Sequence, residues 1–464
     1  MHWDRKAARK GDLDGQFLMG SLSAGTYNLP SCTVPMRRKD DLVTFASEAQ
    51  AKAAGLKACK VCKPDRYYAT HGNGLGEYHQ LAALLAQRPA SVVNGAALAE
   101  VIGATPERLE VLVGDHAHLT AAEWLDRERS RFAARALIGA GTSVSAAGVA
   151  AGFADEAVYK SVFSAHMAMS PENYRKLGSK QGFTLQLPAD YQTAYVLAYQ
   201  GRDPEGIAER SDDSRVWKAL STPDGPVVME IHLQRGAARI TVEGKRPVGP
   251  ESMAKLHRDA LKILGLGTDI SRFEAAHPEL VGMRRGLRVT LIPSAFDALA
   301  WAIMGQQINV SFAGSLRRDL ILLAGEKVGD MYVHPTPERV AGLDAADLTS
   351  RRFSRSKTKY LLDVAQSIAA GELDIEGLVD GSAVDAEAAL TAQHGVGVWT
   401  ARYVLMRTGF GDAAPVGDSG LATALHRLHQ MPERPDATGT ARLMARYSPW
   451  RSLASMHLWA SLSA

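Results

Sequence analysis

Cysteine is scarce and confined. Three of the 464 residues are Cys (Cys32, Cys59 and Cys62), and none follows residue 62. An odd count that includes a Cys-x-x-Cys pair argues against structural disulfides and for metal or redox chemistry. Long apolar runs are also missing. No stretch reaches the roughly 20 residues needed to span a bilayer, and Met1-His-Trp-Asp-Arg-Lys has no apolar segment of the signal-peptide kind. The expectation is no membrane and a cytoplasmic location. Net charge is small, at +3. It is uneven, however: residues 1–70 hold 12 Lys/Arg against 7 Asp/Glu, an excess of five, so the remainder is slightly acidic. A basic first segment suits a polyanion, and a merely solvated face is the plainer alternative.

What is present exceeds one ordinary domain. The length predicts three or four domains, and a hydrophobic content of 46% is enough to give them cores. The most informative stretch is 394–421, His-Gly-Val-Gly-Val-Trp-Thr-Ala-Arg-Tyr and onward to Pro415-Val-Gly-Asp-Ser-Gly-Leu421. Gly395 and Gly397 flank Val396 ahead of a helical stretch, Trp399 to Arg407. Glycines there permit a tight turn and close backbone approach. The free N–H groups at the following helix start suit an anion such as phosphate. A Gly/Pro-rich turn then delivers Asp418, which predicts a carboxylate at the edge of a cleft.

This arrangement resembles the helix–hairpin–helix DNA glycosylases, in which a Gly-Val-Gly-type hairpin precedes a catalytic Asp by about twenty residues. Within them, Tyr447-Ser-Pro-Trp-Arg-Ser-Leu-Ala-Ser-Met-His-Leu-Trp459 and Ala302-Ile-Met-Gly-Gln-Gln-Ile-Asn-Val310 are most similar to the 3-methyladenine DNA glycosylase II branch. The resemblance implies hydrolysis of the N-glycosidic bond of alkylated bases in duplex DNA. Asp418 would be the catalytic carboxylate, stabilising positive charge on the sugar and orienting water. Asp412 lies on the same loop but falls out of register with Asp418-Ser-Gly-Leu421. Trp399, Tyr403 and Trp459 take the pocket positions, where stacking and cation–π attraction would hold an electron-poor base; core packing is the plainer role for each alone. Gln307 takes the place of the wedge that fills the gap left by a flipped nucleotide. Its plainer reading is a buried glutamine satisfied internally. Gly395, Val396 and Gly397 would grip the DNA backbone.

Relatives with lyase activity carry Lys where this chain has Trp399, so no Schiff base forms there and the expected enzyme is monofunctional. The lack of Cys after Cys62 excludes the iron–sulfur cluster of some relatives. The glycosylase chemistry needs no cofactor.

Residues 1–72 resemble the zinc module of the Ada-type adaptive-response regulators, through Gly25-Thr-Tyr-Asn-Leu-Pro-Ser-Cys32 and Ala54-Gly-Leu-Lys-Ala-Cys-Lys-Val-Cys-Lys-Pro64. That family holds zinc with four thiolates, one of which takes a methyl group from a DNA phosphotriester. Here that position is Asn28, which cannot accept methyl by this chemistry. Cys32, Cys59 and Cys62 remain as metal ligands, and tetrahedral zinc needs a fourth from Asn28 oxygen, water or a nearby side chain. A decayed, metal-free module stays open as the alternative.

Residues 75–177 resemble an AraC-type helix-turn-helix pair. The second unit, Val144-Ser-Ala-Ala-Gly-Val-Ala-Ala-Gly-Phe153 onward, places Gly152 at the tight turn. It makes residues 155–166 the recognition helix, offering Tyr159, Lys160 and Ser161 to a groove. The first unit carries Glu107, Glu110 and Val111 where relatives have DNA contacts, and reads as scaffolding. Beyond a joint near 176–182, alternating stretches in 183–275 predict strands.

The expected fold is multidomain and mainly α. It comprises a small zinc-module-like α/β domain (1–72), the helix-turn-helix pair (75–177), a small α+β glycosylase N-terminal domain without catalytic residues (183–275), and an all-α helix–hairpin–helix domain (280–464). Duplex DNA with alkylated bases, and promoter DNA, are the implied partners. The alternative reading is a transcription regulator of the alkylation response whose C-terminal half senses damage.

Overall fold

The computed structural model of the chain describes Asp14 and residues 17–34, 42–71, 74–138 and 141–462, the side chains of 69–71 excepted. The N-terminal Met1-His-Trp-Asp-Arg-Lys stretch therefore lies outside the described residues. Among the described residues no helix is long and apolar enough to cross a membrane.

The first module is a four-stranded sheet in the order Leu42–Phe45, Leu18–Ser21, Thr26–Asn28, Lys57–Ala58. Its small core is Leu18, Tyr27, Leu29, Ala51 and Leu56. Helices follow from Leu75 to Tyr174, each helix-turn-helix unit opening on a side-chain cap. Thr105 caps Pro106–Ala117, Ser143 caps Val144–Ala150 and Asp155 caps Glu156–Met167. These oxygens satisfy N–H groups that a helix start leaves without partners. Gly152 is required twice over: its φ is +89°, and a Cβ there would lie 2.8 Å from Ala90 Cα.

A five-stranded antiparallel sheet comes next, in the order Gly182–Gln186, Ala237–Gly244, Gly225–Gln234, Arg215–Thr222, Glu209–Ser211. Val227, Met229, Ile231 and Leu233 are buried while the intervening residues are half-buried, the period of a strand with one face on a core. That core does not stop at residues 176–182. Phe153, Tyr159, Phe163 and Leu177 pack in one continuous cluster with Leu185, Ile231, Ile240 and Met253. The second helix-turn-helix and the α+β sheet are therefore fused.

The remainder is helical apart from a small hairpin, Glu326–Val328 with Met331–Val333. Its centre is Ala295–Gly305, nearly every residue of which is buried. A helix apolar all round belongs in a core. Asp297 is tolerated there because Arg317 donates to both its oxygens and also reaches Glu209, which Lys218 meets at 2.8 Å. This buried ion network ties the five-stranded sheet to the helical domain.

The first helix-turn-helix unit has a different employment. The Tyr78 hydroxyl donates to Gly381 O, His116 bonds Ser382 Oγ at 2.6 Å, Asp412 N donates to His118 Nδ1, and Arg131 pairs with Asp380. Beside it, Gly55 of the first module lies so close to the C-terminal helices that a Cβ there would be 2.9 Å from Ala441 Cβ. The far end of its Pro106–Ala117 helix is thus spent holding the helical domain. Glu110 accepts from Ala121 N, capping the next helix, and Glu107 is exposed. These carboxylates fit the scaffold role expected for this unit.

Candidate active site and DNA-binding surfaces

Two helices, Ala383–Thr391 and Val398–Thr408, frame the glycine hairpin. Gly395 has φ +81°, and a Cβ there would sit 2.2 Å from the Tyr360 ring. Both facts demand glycine. Gly397 differs: it caps the second helix with φ −89° and has open space around its Cβ position. Its lack of a side chain serves approach from outside. Val396 corrects the expectation of a DNA contact. Its side chain is 4% exposed in the core, and its N–H donates to Gln393 O at 3.1 Å, closing the turn.

The turn after Ala295–Gly305 carries the wedge position. Gln307 is exposed and held at φ +57°, a left-handed conformation uncommon for a side-chain-bearing residue. Its neighbour is the satisfied glutamine: Gln306 Nε2 donates to Gly395 O at 3.0 Å and Thr400 Oγ1 at 3.1 Å. Lys357, which sequence reasoning missed, completes the support. Its ammonium donates to Ile303 O, Met304 O and Gln306 O at 3.3, 2.7 and 2.5 Å, gathering the carbonyls at the end of the buried helix. Wedge turn and hairpin are one bonded unit.

Asp418 caps helix Ser419–Leu428. Its Oδ1 accepts from Leu421 N at 2.7 Å and from Trp459 Nε1 at 2.9 Å, and the residue is half-buried. The helix N-terminus and the indole N–H both fix the orientation of that oxygen. Asp412 is the opposite case. It is 7% exposed, its oxygens take Arg451 at 2.7 and 2.8 Å, and they accept from Ser448 Oγ and Arg451 N. Burial raises its pKa, but Arg451 more than offsets this and holds it below the usual carboxylate range. With its lone pairs committed, Asp412 is structural.

Trp399, Tyr403 and Trp459 do come together: Trp399 stacks on Tyr403 at 5.7 Å, and Tyr403 and Trp459 are 6.5 Å apart. Trp459 serves both as an aromatic wall and as the donor to Asp418. Two residues of the α+β domain, expected to hold nothing of the site, join them. The Tyr199 ring and the Trp301 ring flank the Arg202 guanidinium at 4.0 and 4.7 Å. Arg407 lies 4.7 Å from the Tyr199 ring and 5.5 Å from both the Tyr403 and Trp459 rings. Two guanidinium groups thus lie against the aromatic cluster, which the sequence alone did not indicate.

The second recognition helix departs from expectation at Tyr159. That residue is 1% exposed, packed between Phe153 and Phe163 and covering Gly148, and is core. Lys160 and Ser161 point outward, but Lys160 pairs with Glu156 at 2.9 Å and Glu172 at 2.8 Å. Those carboxylates compete with any phosphate.

In the first module Cys32, Cys59 and Cys62 place their sulfurs within 4.8 Å of one another. Leu29 N and Val61 N each direct an N–H at a sulfur at 3.4 Å. Convergent sulfurs supplied with N–H donors fit a thiolate-bound cation. Asn28 is buried beside them: its Nδ2 donates to Cys32 Sγ at 3.2 Å, and its Oδ1 accepts from Thr26 Oγ1 at 3.4 Å.

Comparison with known proteins agrees with this domain order. Residues 1–65 match the metal-binding domain of Ada, 98–177 a helix-turn-helix domain, and 300–449 the HhH-GPD superfamily of base excision DNA repair proteins. The chain is 37% identical to the DNA-3-methyladenine glycosylase of Bacillus subtilis over 179 residues, 38% of this chain and 59% of that protein. It thus spans about three fifths of that relative's length. It is 26% identical to DNA-3-methyladenine glycosylase 2 of Escherichia coli, covering 60% of this chain and 96% of that one. A Mycobacterium tuberculosis protein described as a probable bifunctional transcriptional activator/DNA repair enzyme is 26% identical across 97% of this chain and 93% of its own. In fold, residues covering 60% of the chain superpose on 97% of a 3-methyladenine DNA glycosylase from Archaeoglobus fulgidus, with a TM-score of 0.54 and 22% identity.

Proposed function

We propose that this chain, in which an Ada metal-binding domain and a helix-turn-helix domain precede an HhH-GPD domain, is a monofunctional DNA glycosylase that hydrolyses the N-glycosidic bond of alkylated bases, of the 3-methyladenine type, in duplex DNA. The observation that carries this reading is Asp418. It is a half-buried carboxylate oriented by Leu421 N and Trp459 Nε1, and Trp459 in turn lies against Tyr403 of the aromatic cluster. The Gly397 end of that hairpin would take a DNA phosphate while Gln307 fills the space of the extruded nucleotide. Asp418 would then face the sugar as positive charge builds on it, and accept or orient the attacking water.

In the first module, Cys32, Cys59 and Cys62 would hold zinc, with the Asn28 oxygen or a water completing four ligands. When bound, the metal keeps the sulfurs deprotonated and cross-links the small sheet. Asn28 leaves no thiolate in the methyl-accepting position, so the role is structural. Lys160 and Ser161 would offer a weak contact to DNA, including promoter DNA, in a cytoplasmic protein. The alternative of a regulator with a damage-sensing C-terminal half requires that no base be released. The test is release of free base from methylated duplex by the full chain. Appearance of base with a matching count of abasic sites supports excision, and binding without release favours the sensor.

A further inference from the structure

The first helix-turn-helix unit touches the helix–hairpin–helix at both of its outer ends. On the entry side it meets the turn that starts helix Ala383–Thr391. Ser382 caps that helix by accepting from Asp385 N at 3.1 Å, and the same hydroxyl lies 2.6 Å from His116 Nδ1. The Tyr78 hydroxyl donates to Gly381 O at 3.2 Å, and Arg131 pairs with Asp380 at 2.8 Å. On the exit side it meets residues 409–412, which leave helix Val398–Thr408 and run on to Asp418. There Asp412 N donates to His118 Nδ1 at 3.0 Å, and the Phe410 ring meets the His118 ring edge-on at 5.5 Å. A Cβ on Gly411 would lie 3.6 Å from His118 O and 3.7 Å from Pro449 O, so the strand of chain is held between the two units.

Two elements of the site are seated on residues 410–413. At the start of helix Arg451–Ala460, Arg451 N donates to Asp412 Oδ1 at 3.1 Å and Ser452 N to Gly411 O at 3.0 Å. Ser452 Oγ also donates to Phe410 O at 2.6 Å and accepts from Ala413 N at 3.0 Å. Further along that helix Trp459 donates to Asp418, and the loop itself ends on Asp418. Of the groups that hold 410–413 in these contacts, only His118 comes from outside the helical domain. It is the residue that ends helix Pro106–Ala117, at φ +56°. Burial pushes its pKa down to about 4, with Asp412 opposing and Arg451 assisting. The ring is therefore neutral at pH 7, with its proton on Nε2 and Nδ1 accepting. Asp412 is 7% exposed, so removing that acceptor would leave its N–H buried without a partner.

We propose that His118 is a positioning residue for base excision: by fixing the backbone at Asp412 it sets Asp418 and its Trp459 donor relative to the hairpin that grips the DNA. The inference rests on the excision reading above. It makes the first helix-turn-helix unit a working part of the glycosylase, bracing the ends of the helix–hairpin–helix that lie away from the hairpin turn. His118 touches neither Asp418 nor the substrate, and acts only through the chain it holds. Its loss falls on the chemical step, because charge stabilisation depends on where the carboxylate stands to within a fraction of an ångström. DNA affinity is spared, since it rests on the Gly397 end of the hairpin and on Gln307.

The test is single-turnover base release from methylated duplex by the full chain and three variants. The rate at saturating protein and the half-saturating protein concentration are read separately, and folding is checked by the melting transition. His118→Asn puts its Oδ1 where Nδ1 stands and tolerates the left-handed backbone. His118→Gln carries its acceptor one bond farther out, and His118→Leu has none. The expected result is a saturating rate about fivefold lower in His118→Leu and His118→Gln, with the half-saturating concentration unchanged. His118→Asn should recover most of the wild-type rate. A wild-type rate in folded His118→Leu, or a loss carried by the half-saturating concentration alone, overturns the positioning role while leaving excision intact. If His118→Leu does not fold, the other two variants decide, and equal rates in His118→Asn and His118→Gln overturn the proposal. If the wild-type chain releases no base, the excision reading falls and this inference falls with it.

Discussion

Replacing Lys357 with Met separates support of the wedge turn from chemistry. The ammonium gathers three carbonyls, those of Ile303, Met304 and Gln306. Hydrogen bonds from a charged donor contribute about 1.5–3 kcal/mol each, and a cation at a helix C-terminus adds about 0.3–1 kcal/mol. The three share one half-buried head group, so the carbonyls regain some solvation when it goes. A local loss of about 2–4 kcal/mol follows from those terms. The damage falls on the turn that presents Gln307 and that Gln306 ties to Gly395 and Thr400. Asp418 and its two donors are untouched. Excision from duplex requires extrusion of the base, whereas a lesion in single-stranded DNA needs none. Lys357→Met should therefore slow release from duplex by about thirtyfold, the equivalent of 2 kcal/mol, and slow release from the same single strand several-fold less. The assay is single-turnover release on both substrates, with folding checked by the melting transition. Equal losses on the two substrates, or no loss on duplex, would refute the coupling of Lys357 to the wedge turn.

Five further outcomes follow from the geometry. Gly395→Ala should lower the melting temperature and DNA affinity together, because its Cβ collides with Tyr360. Gly397→Ala should leave melting nearly unchanged but weaken binding, which titration against duplex at fixed salt will separate. Glu172→Gln should release Lys160 from one of its two carboxylates and raise the full chain's affinity for duplex at low salt; unchanged affinity would remove this helix from the DNA surface. His257 is buried, its Nε2 lies 2.8 Å from Met167 O, and burial pushes its pKa down to about 4. Its depressed value means that the unfolded state binds more protons between about pH 4 and 6.5. Stability should therefore fall as pH drops through that window, by about 1.4 kcal/mol per unit at most. Denaturant titrations at pH 7 and pH 5 check the sign, and a higher stability at pH 5 would contradict it. Finally, methyl-phosphotriester DNA should leave the mass of the chain unchanged, because Asn28 stands in the accepting position; a stoichiometric methyl adduct on Cys32, Cys59 or Cys62 would contradict it.

Much of the site was legible because the residues that build it are close in sequence or carry local signatures. The hairpin glycines and the turn that delivers Asp418 follow from turn chemistry acting over a few residues, whereas the roles of Asp418, Gln307 and the aromatics rest on resemblance to the helix–hairpin–helix glycosylases. Asp412 could be set aside by register alone, and its bidentate partner Arg451 supplies the physical reason. The failures share a cause. Tyr159 and Val396 sit at positions where one rotation of a helix or turn decides between core and solvent, and tertiary packing made that decision. Tyr199, Arg202 and Lys357 reach the site from elements whose neighbours in space are distant in sequence, so no spacing rule points to them. The joint near 176–182 looked like a linker by composition, yet the core beneath it is continuous, since small polar residues mark a surface turn as readily as a domain boundary.

The central claim is most directly tested by the rate of base release from methylated duplex by the Asp418→Asn protein. The substitution keeps size and an acceptor oxygen for Leu421 N and Trp459 Nε1, and removes only the charge. Loss of a charge-stabilising group aimed at a transition state costs about 3–4 kcal/mol, or a hundredfold or more in rate. We predict that fall, with an unchanged melting transition and DNA binding that holds or tightens, and only a modest loss of activity in any folded Asp412→Asn protein. Near-normal release by folded Asp418→Asn, or collapse of activity in Asp412→Asn alone, would contradict the assignment.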